Sequence, residues 1–233
     1  MMLTISDVDR AGPQPARQVL NWVREYLGGA DAERERLQRK FVCPFIPGAL
    51  QRETIWLDVV AGAVTPAAVE ATMRAQVHLF HHTAPITGVD VQYKTILTLF
   101  PGVTENTAPE LIDQVQRTLK LEVVTQHLLM IGELHPWNWT EAAGFLGEGI
   151  YPNRSPVPLL ALRVIVSQDY PKFLKVPIRA GTAVNDFLAD LRYQIAYYDA
   201  LIRWAPIENH PSRRQQWQEL LAEKCRLLSE LSG

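Results

Sequence analysis

The chain has very little cysteine. Only Cys43 and Cys225 occur in 233 residues, too few for a disulfide framework, which fits a reducing, cytoplasmic setting. Neither charge sign is in surplus: 23 Lys and Arg stand against 25 Asp and Glu, a net charge of −2. That leaves no electrostatic footprint for duplex nucleic acid. No apolar run approaches the roughly 20 residues of a membrane span, so no membrane partner is expected. The opening MMLTISDVDRAGPQP lacks a basic-then-apolar pattern, and no secretory signal is expected. Walker loops, G-x-G-x-x-G, G-x-S-x-G, C-x-x-C and H-E-x-x-H patterns are all missing, as are repeats and low-complexity tracts. What remains is an ordinary globular composition, 47% hydrophobic and 21% charged, enough for one large domain or two small ones.

Hydrophobic periodicity orders the chain. Val19, Trp22, Val23, Tyr26 and Leu27 recur at helical spacing from about Pro15, and Gly28-Gly29 supplies a stop. Residues 31–40 interleave acids and bases, as a solvated face or linker does. Phe41 to Gly48 is apolar but holds Pro44 and Pro47, which predicts an ordered, buried loop. The β-branched run Thr54 to Val60 predicts a first strand. Thr65-Pro66 opens a helix to His82, and Val91 to Phe100 reads as a second strand. A helix restarts at Thr107, residues 126–134 form a third strand, and Val157 to Val166 a fourth, interrupted by Arg163. The last two helices run from Ala183 to Trp204 and from Ser212. This order predicts an α+β fold: a ferredoxin-like split βαβ antiparallel sheet with helices on one face and additional N- and C-terminal helices. The expected organisation is a single globular unit of an N-terminal helical segment (1–40), an α+β core (41–175) and a C-terminal helical extension (176–233).

Three groups of residues have chemical potential. Cys43 lies in a proline-fixed loop, where a thiol serves as nucleophile, redox group or thiolate ligand to haem, or simply as a small hydrophobe beside Phe45. Cys225 falls on a helix stripe and reads as core. His78, His81 and His82 share one helical side, a spacing open to metal or haem, although they also sit where imidazolium complements a helix C-terminus. The third group surrounds the junction of strands three and four. His135 is placed to move a proton near neutral pH. Asn153, Arg154 and Ser155 lead into strand four, and Arg154 offers a planar donor fork for an anion. Arg163, inside an apolar strand, needs a ligand or an internal carboxylate such as Asp58 or Asp169. Trp137 and Trp139 fit either a stacking wall or a lid on the core, and Lys94 either an anion contact or a surface strand lysine.

Cys43-Pro44-Phe45, Leu134-His135-Pro136 and Asn153-Arg154-Ser155-Pro156-x-Pro158 ahead of Arg163 together resemble a group of bacterial domains of unknown function. The likeness spans Phe41 to Leu174. It implies that Cys43, His135, Arg154, Ser155 and Arg163 belong to the group's characteristic pattern, and a small-molecule biosynthetic or accessory role; it carries no reaction. The leading expectation is an enzyme acting on a small anionic molecule. Cys43 supplies a thiolate, Arg154 and Arg163 hold the anion, and His135 transfers a proton, with Ser155, Asn153, Trp137, Trp139 and Lys94 around them. One alternative is a haem protein with Cys43 or one of His78, His81 and His82 as ligand. Another is a non-catalytic domain whose C-terminal helices, carrying Trp204 and Trp217, make a homodimer surface.

Overall fold

The computed structural model describes residues 2–29, 42–141, 150–176, 183–205 and 211–232; the charged stretch 31–40 and Phe41 lie outside the described residues. Helix α1 (Ile5–Ala11) was not anticipated, although its signal was present. Thr4 caps it, and Asp7 returns the bond to the Thr4 amide in a capping box. Helix α2 (Gln14–Trp22) continues through a wide turn, Val23–Leu27, to its cap at Gly28. The expected loop after Phe41 is shorter than predicted. Residues 42–45 form a turn, and Ile46–Gln51 then forms helix α3, with Pro47 in the first turn where no amide donor is needed.

Strand β1 (Ile55–Val59), helix α4 (Pro66–His82) and strand β2 (Thr95–Leu99) follow. The run Val91–Phe100 is thus only half strand, because Val89–Tyr93 forms a 3-10 turn. A wide turn at Pro109–Gln114 leads into α5 (Val115–His127), then come β3 (Leu129–Leu134) and β4 (Leu159–Val164). Helices α6 (Val184–Trp204) and α7 (Pro211–Ser232) end the chain. No described helix is long and apolar enough to cross a membrane.

The fold is α+β, but the sheet is mixed rather than antiparallel. Its order is β1-β2-β4-β3, with β1 and β2 paired parallel and β4 antiparallel to both β2 and β3. A ferredoxin-like sheet would separate the first parallel pair by an inserted strand. Here β1 and β2 are direct neighbours across the α4 crossover, and β4 enters between β2 and β3. Strands β1, β2 and β3 therefore all end at the same edge of the sheet, the edge at which β4 begins.

Helices cover both faces, a second departure from expectation. Met73, Phe80, Ile112 and Leu119 of the α4–α5 layer pack on Ile96, Ile131, Leu160 and Leu162. On the other face Val8, Val19, Leu20 and Ile46 of α1 to α3 pack on Ile55, Leu57, Leu97 and Leu99. Alternation along each strand sends one residue set to each layer. The α1–α3 layer is centred on β1 and β2, where Ile55, Leu57, Leu97 and Leu99 are buried; Gly132, Leu134, Ala161 and Arg163 on β3 and β4 are only half buried. Helix α6 packs against α5 and the β3 edge through Tyr193, Ala196 and Ala200 on Val124, Leu128 and Met130.

Candidate functional site

The Cys43 loop is tied at both ends. The Cys43 amide donates to the Leu27 carbonyl at 3.1 Å, and the Cys43 carbonyl accepts from the Ile46 amide at 3.3 Å. These bonds fix the half-buried thiol on the α1–α3 face, packed against the same apolar cluster as Ala161 and Leu134. Arg163 projects to that face as well. Its guanidinium makes a two-pronged pair with Asp169, at 2.6 and 2.8 Å, and donates to the Val164 carbonyl at 2.9 Å. Burial works against the arginine's proton, but the Asp169 charge and hydrogen bonds outweigh it, and the Cys43 sulfur stands close enough to add to the effect, so the pKa is raised. Asp169 thus meets the need for an internal carboxylate. A balanced arginine holds a local field and orientation but is a poor clamp for a second anion.

Beside this pair the sheet carries small residues. Among the described residues a Cβ at Gly132 would meet only Leu134 Cδ1, at 3.8 Å. Gly132 pairs with Ala161, and Met130 with Arg163, so one pair of small residues stands next to Arg163 on this face.

His135 and Arg154 stand elsewhere, which corrects the expected constellation. Register places Arg163 opposite Thr95 and Leu159 opposite Leu99 and Leu134. Four strand residues therefore separate Arg163 from the His135 end, about 13 Å at roughly 3.3 Å each. Alternation also turns His135 to the α4–α5 face, where its Nε2 donates to Asp113 Oδ1 at 3.1 Å. Its Nδ1 is buried with no partner among the described residues. Glu133 lies close by; burial raises its pKa, with Asp113 reinforcing the shift and Lys120 and His135 opposing it. Proton transfer at His135 can thus work with Asp113, but not at the Cys43 sulfur.

The Asn153-Arg154-Ser155 segment is mainly a corner. Asn153 supplies its carbonyl to the His135 and Ser155 amides. The Ser155 hydroxyl is buried and donates to the Val157 carbonyl at 2.7 Å, which removes it as a nucleophile. Arg154 donates from Nε to the Pro136 carbonyl at 3.0 Å, and its guanidinium stacks 3.8 Å from the Trp139 ring centroid. Trp139, 59% exposed, is the wall of the two tryptophans, whereas Trp137 packs on the core. Tyr26 accepts from the Tyr151 amide at 3.1 Å, joining this corner to the end of α2.

Lys94 is no surface strand residue. It precedes β2, is 1% exposed, and donates from Nζ to the Phe80 and Thr83 carbonyls at 2.6 and 2.7 Å. It closes the C-terminus of α4 and is too deep to touch substrate. The histidines divide differently from expectation. His78 and His82 stack on each other, with centroids 4.3 Å apart, while His81 faces His127 of α5 at 5.8 Å. They line a groove of about 330 Å³ with Arg74 and Glu122. Among the described residues no three His, Cys, Asp or Glu side chains group to hold a metal ion. Cys225 is exposed on α7 rather than in the core.

Sequence reasoning missed Asp113, Glu133, Tyr26 and His127. Each lies on a different element from its partner, and no local spacing links them; only the strand order would have found them.

No curated protein and no solved structure matches the chain. A protein family described as a domain of unknown function (DUF6875) matches residues 16–195, a range that begins in α2, contains both the Cys43–Arg163 corner and the Asp113–His135 pair, and ends within α6. The chain belongs to this family.

Proposed function

We propose that the domain is a thiol-dependent enzyme for a small molecule, with Cys43 as its reactive group. The observation behind this reading is a half-buried thiol and a fixed guanidinium on one face of the sheet, with the small pair Gly132 and Ala161 on the same face. A cysteine sulfur is a strong nucleophile once deprotonated, and this one is held in place by the backbone bonds at both ends of its loop. Gly132 and Ala161 leave room for a ligand to lie beside the sulfur. The Asp113–His135 pair belongs to the opposite face and takes no part at this thiol, and Arg154 stands at the other end of β4, on Trp139.

Cys225 provides an internal standard, because it is exposed on α7. Iodoacetamide at neutral pH, followed by peptide mass spectrometry, should label Cys43 at least as fast as Cys225 despite its burial. Replacing Arg163 with lysine keeps the charge for Asp169 but loses the planar fork, and should slow Cys43 labelling relative to Cys225. Complete labelling of Cys225 with Cys43 untouched would end the proposal.

One observation favours a second, haem-based reading. A planar macrocycle needs a flat floor, and the Gly132–Ala161 pair, on the face that also carries the Cys-Pro thiol, would form part of one. The histidine alternative lacks that support, since His78 and His82 stack on each other. Titration with haemin tests it: a Soret band that shifts in Cys43→Ser supports the reading, and no Soret change removes it.

A further inference from the structure

A second cavity opens on the other side of the Cys43 loop. It has a volume of about 260 Å³ and is bounded by Phe45, Tyr93, Trp204, Trp217, Ile165 and Gln168 among others. Four aromatic rings from four separate parts of the chain line it, and all four are half buried. Among the described residues no charged side chain lines it. The Phe45 and Tyr93 rings meet at 6.2 Å with a 56° tilt. Gly48 holds the tyrosine in place: a Cβ there would stand 2.5 Å from Tyr93 Cε1, so only glycine lets the ring rest on α3.

We propose that this cavity binds a neutral, planar aromatic or heteroaromatic group. Rings in offset or edge contact gain beyond their area burial, and an uncharged lining favours an uncharged guest. The volume sits at the small end of ligand sites, with room for a mono- or bicyclic ring system and none for a macrocycle. The inference rests on the thiol reading in one respect: the ring is taken as part of the same small molecule. Phe45 lies two residues from Cys43, and Ile165 two from Arg163, so the same two segments border both places. The wall made by Leu201, Trp204 and Trp217 lies beyond the family match, which ends at residue 195. The family part therefore supplies the thiol corner, and the C-terminal helices supply the choice of ring.

The test uses the full chain and the neutral naphthalene fluorophore 6-propionyl-2-(dimethylamino)naphthalene, followed by its blue shift at pH 7.5. Saturable binding of one equivalent is expected, displaced by 2-naphthol and about tenfold less well by decahydro-2-naphthol, which has the shape but no π-system. Trp217→Ala and Phe45→Leu should each weaken binding by about tenfold, the value of one lost ring contact, and Trp217→Phe by much less. Circular dichroism confirms that each variant is folded; Trp217→Phe and Phe45→Leu keep the test open if the alanine variant is not. Absence of saturable binding, equal displacement by the saturated competitor, or unchanged affinity in the folded Trp217 and Phe45 variants would each overturn the proposal. Iodoacetamide labelling of the same samples reads the thiol separately. An inert Cys43 with intact ring binding removes the thiol reading alone, and a reactive Cys43 without ring binding removes the aromatic site alone.

Discussion

Lys94 gives the sharpest test of the physical reasoning. The ammonium is almost completely buried, 1% exposed, beneath the C-terminus of α4, and burial pushes its pKa down from 10.5 to about 8. Its charge is retained near neutral pH because two helix-end carbonyls accept from Nζ and the Phe80 ring lies 4.3 Å away. A lysine with a depressed folded-state pKa stabilises the fold fully only above the unfolded value, and that stability is lost as pH falls through 8. Between those values the unfolded chain binds more protons, so stability rises with pH. At about 1.36 kcal/mol per unit, the gain from pH 7 to pH 9.5 is about 2 kcal/mol. The upper limit is deliberate. Tyr170, Tyr193 and Tyr197 have pKa values raised first of all by burial, so they remove stability once pH passes 10. Lys94→Met should lose that alkaline gain. At pH 7 it should also be less stable by about 1–3 kcal/mol, since two buried carbonyls lose a charged donor while one desolvated charge is relieved. Urea unfolding of both proteins at pH 7, 8 and 9.5 measures the difference. Parallel stability profiles for wild type and Lys94→Met would refute the account.

Three further outcomes follow from the same geometry. Asp169→Asn leaves the Arg163 guanidinium half buried without its counter-charge and weakens the bond to the Val166 amide; denaturant melts should show a loss of about 3–5 kcal/mol. Gly132→Ala should be nearly neutral, within about 1 kcal/mol by thermal unfolding, because its Cβ would make only an ordinary contact, 3.8 Å from Leu134 Cδ1. Gly132→Trp should leave Cys225 labelling by iodoacetamide unchanged and slow that of Cys43. The histidine groove should make the protein acid-sensitive. His81 titrates below its ordinary 6.5, first through burial and then through repulsion from His127, Lys94, His82 and His78, with Glu122 engaged by Arg74. Its stabilising contribution is complete above 6.5 and is lost as pH falls through the depressed value. His81→Asn should flatten the decline in melting temperature between pH 7 and pH 5, and an unaltered slope would count against the groove as its source.

The elements were legible wherever local chemistry decides them. Thr65-Pro66 marked the start of α4, Gly28 the end of the second helix, and the β-branched runs placed four strands. The failures have local causes too: Val89–Tyr93 has strand composition but turns to bring Lys94 under α4, and Ile46–Gln51 becomes a helix because Pro47 sits where a helix tolerates it. The candidate site failed for a different reason. Arg154 and Arg163 are nine residues apart, and treating them as neighbours in one pocket assumed a short excursion between them. Instead those residues carry the chain along the full length of β4, which runs against β2 and β3. Because β4 is inserted antiparallel among three parallel strands, its first residues join His135 at one edge while its last join Cys43 at the other. One motif thus serves two places: the Arg-Ser-Pro-x-Pro part builds the corner that launches β4, and Arg163 pairs with Asp169 at the strand's other end. Motif spacing records chain distance, and only the direction of β4 converts it into distance in space.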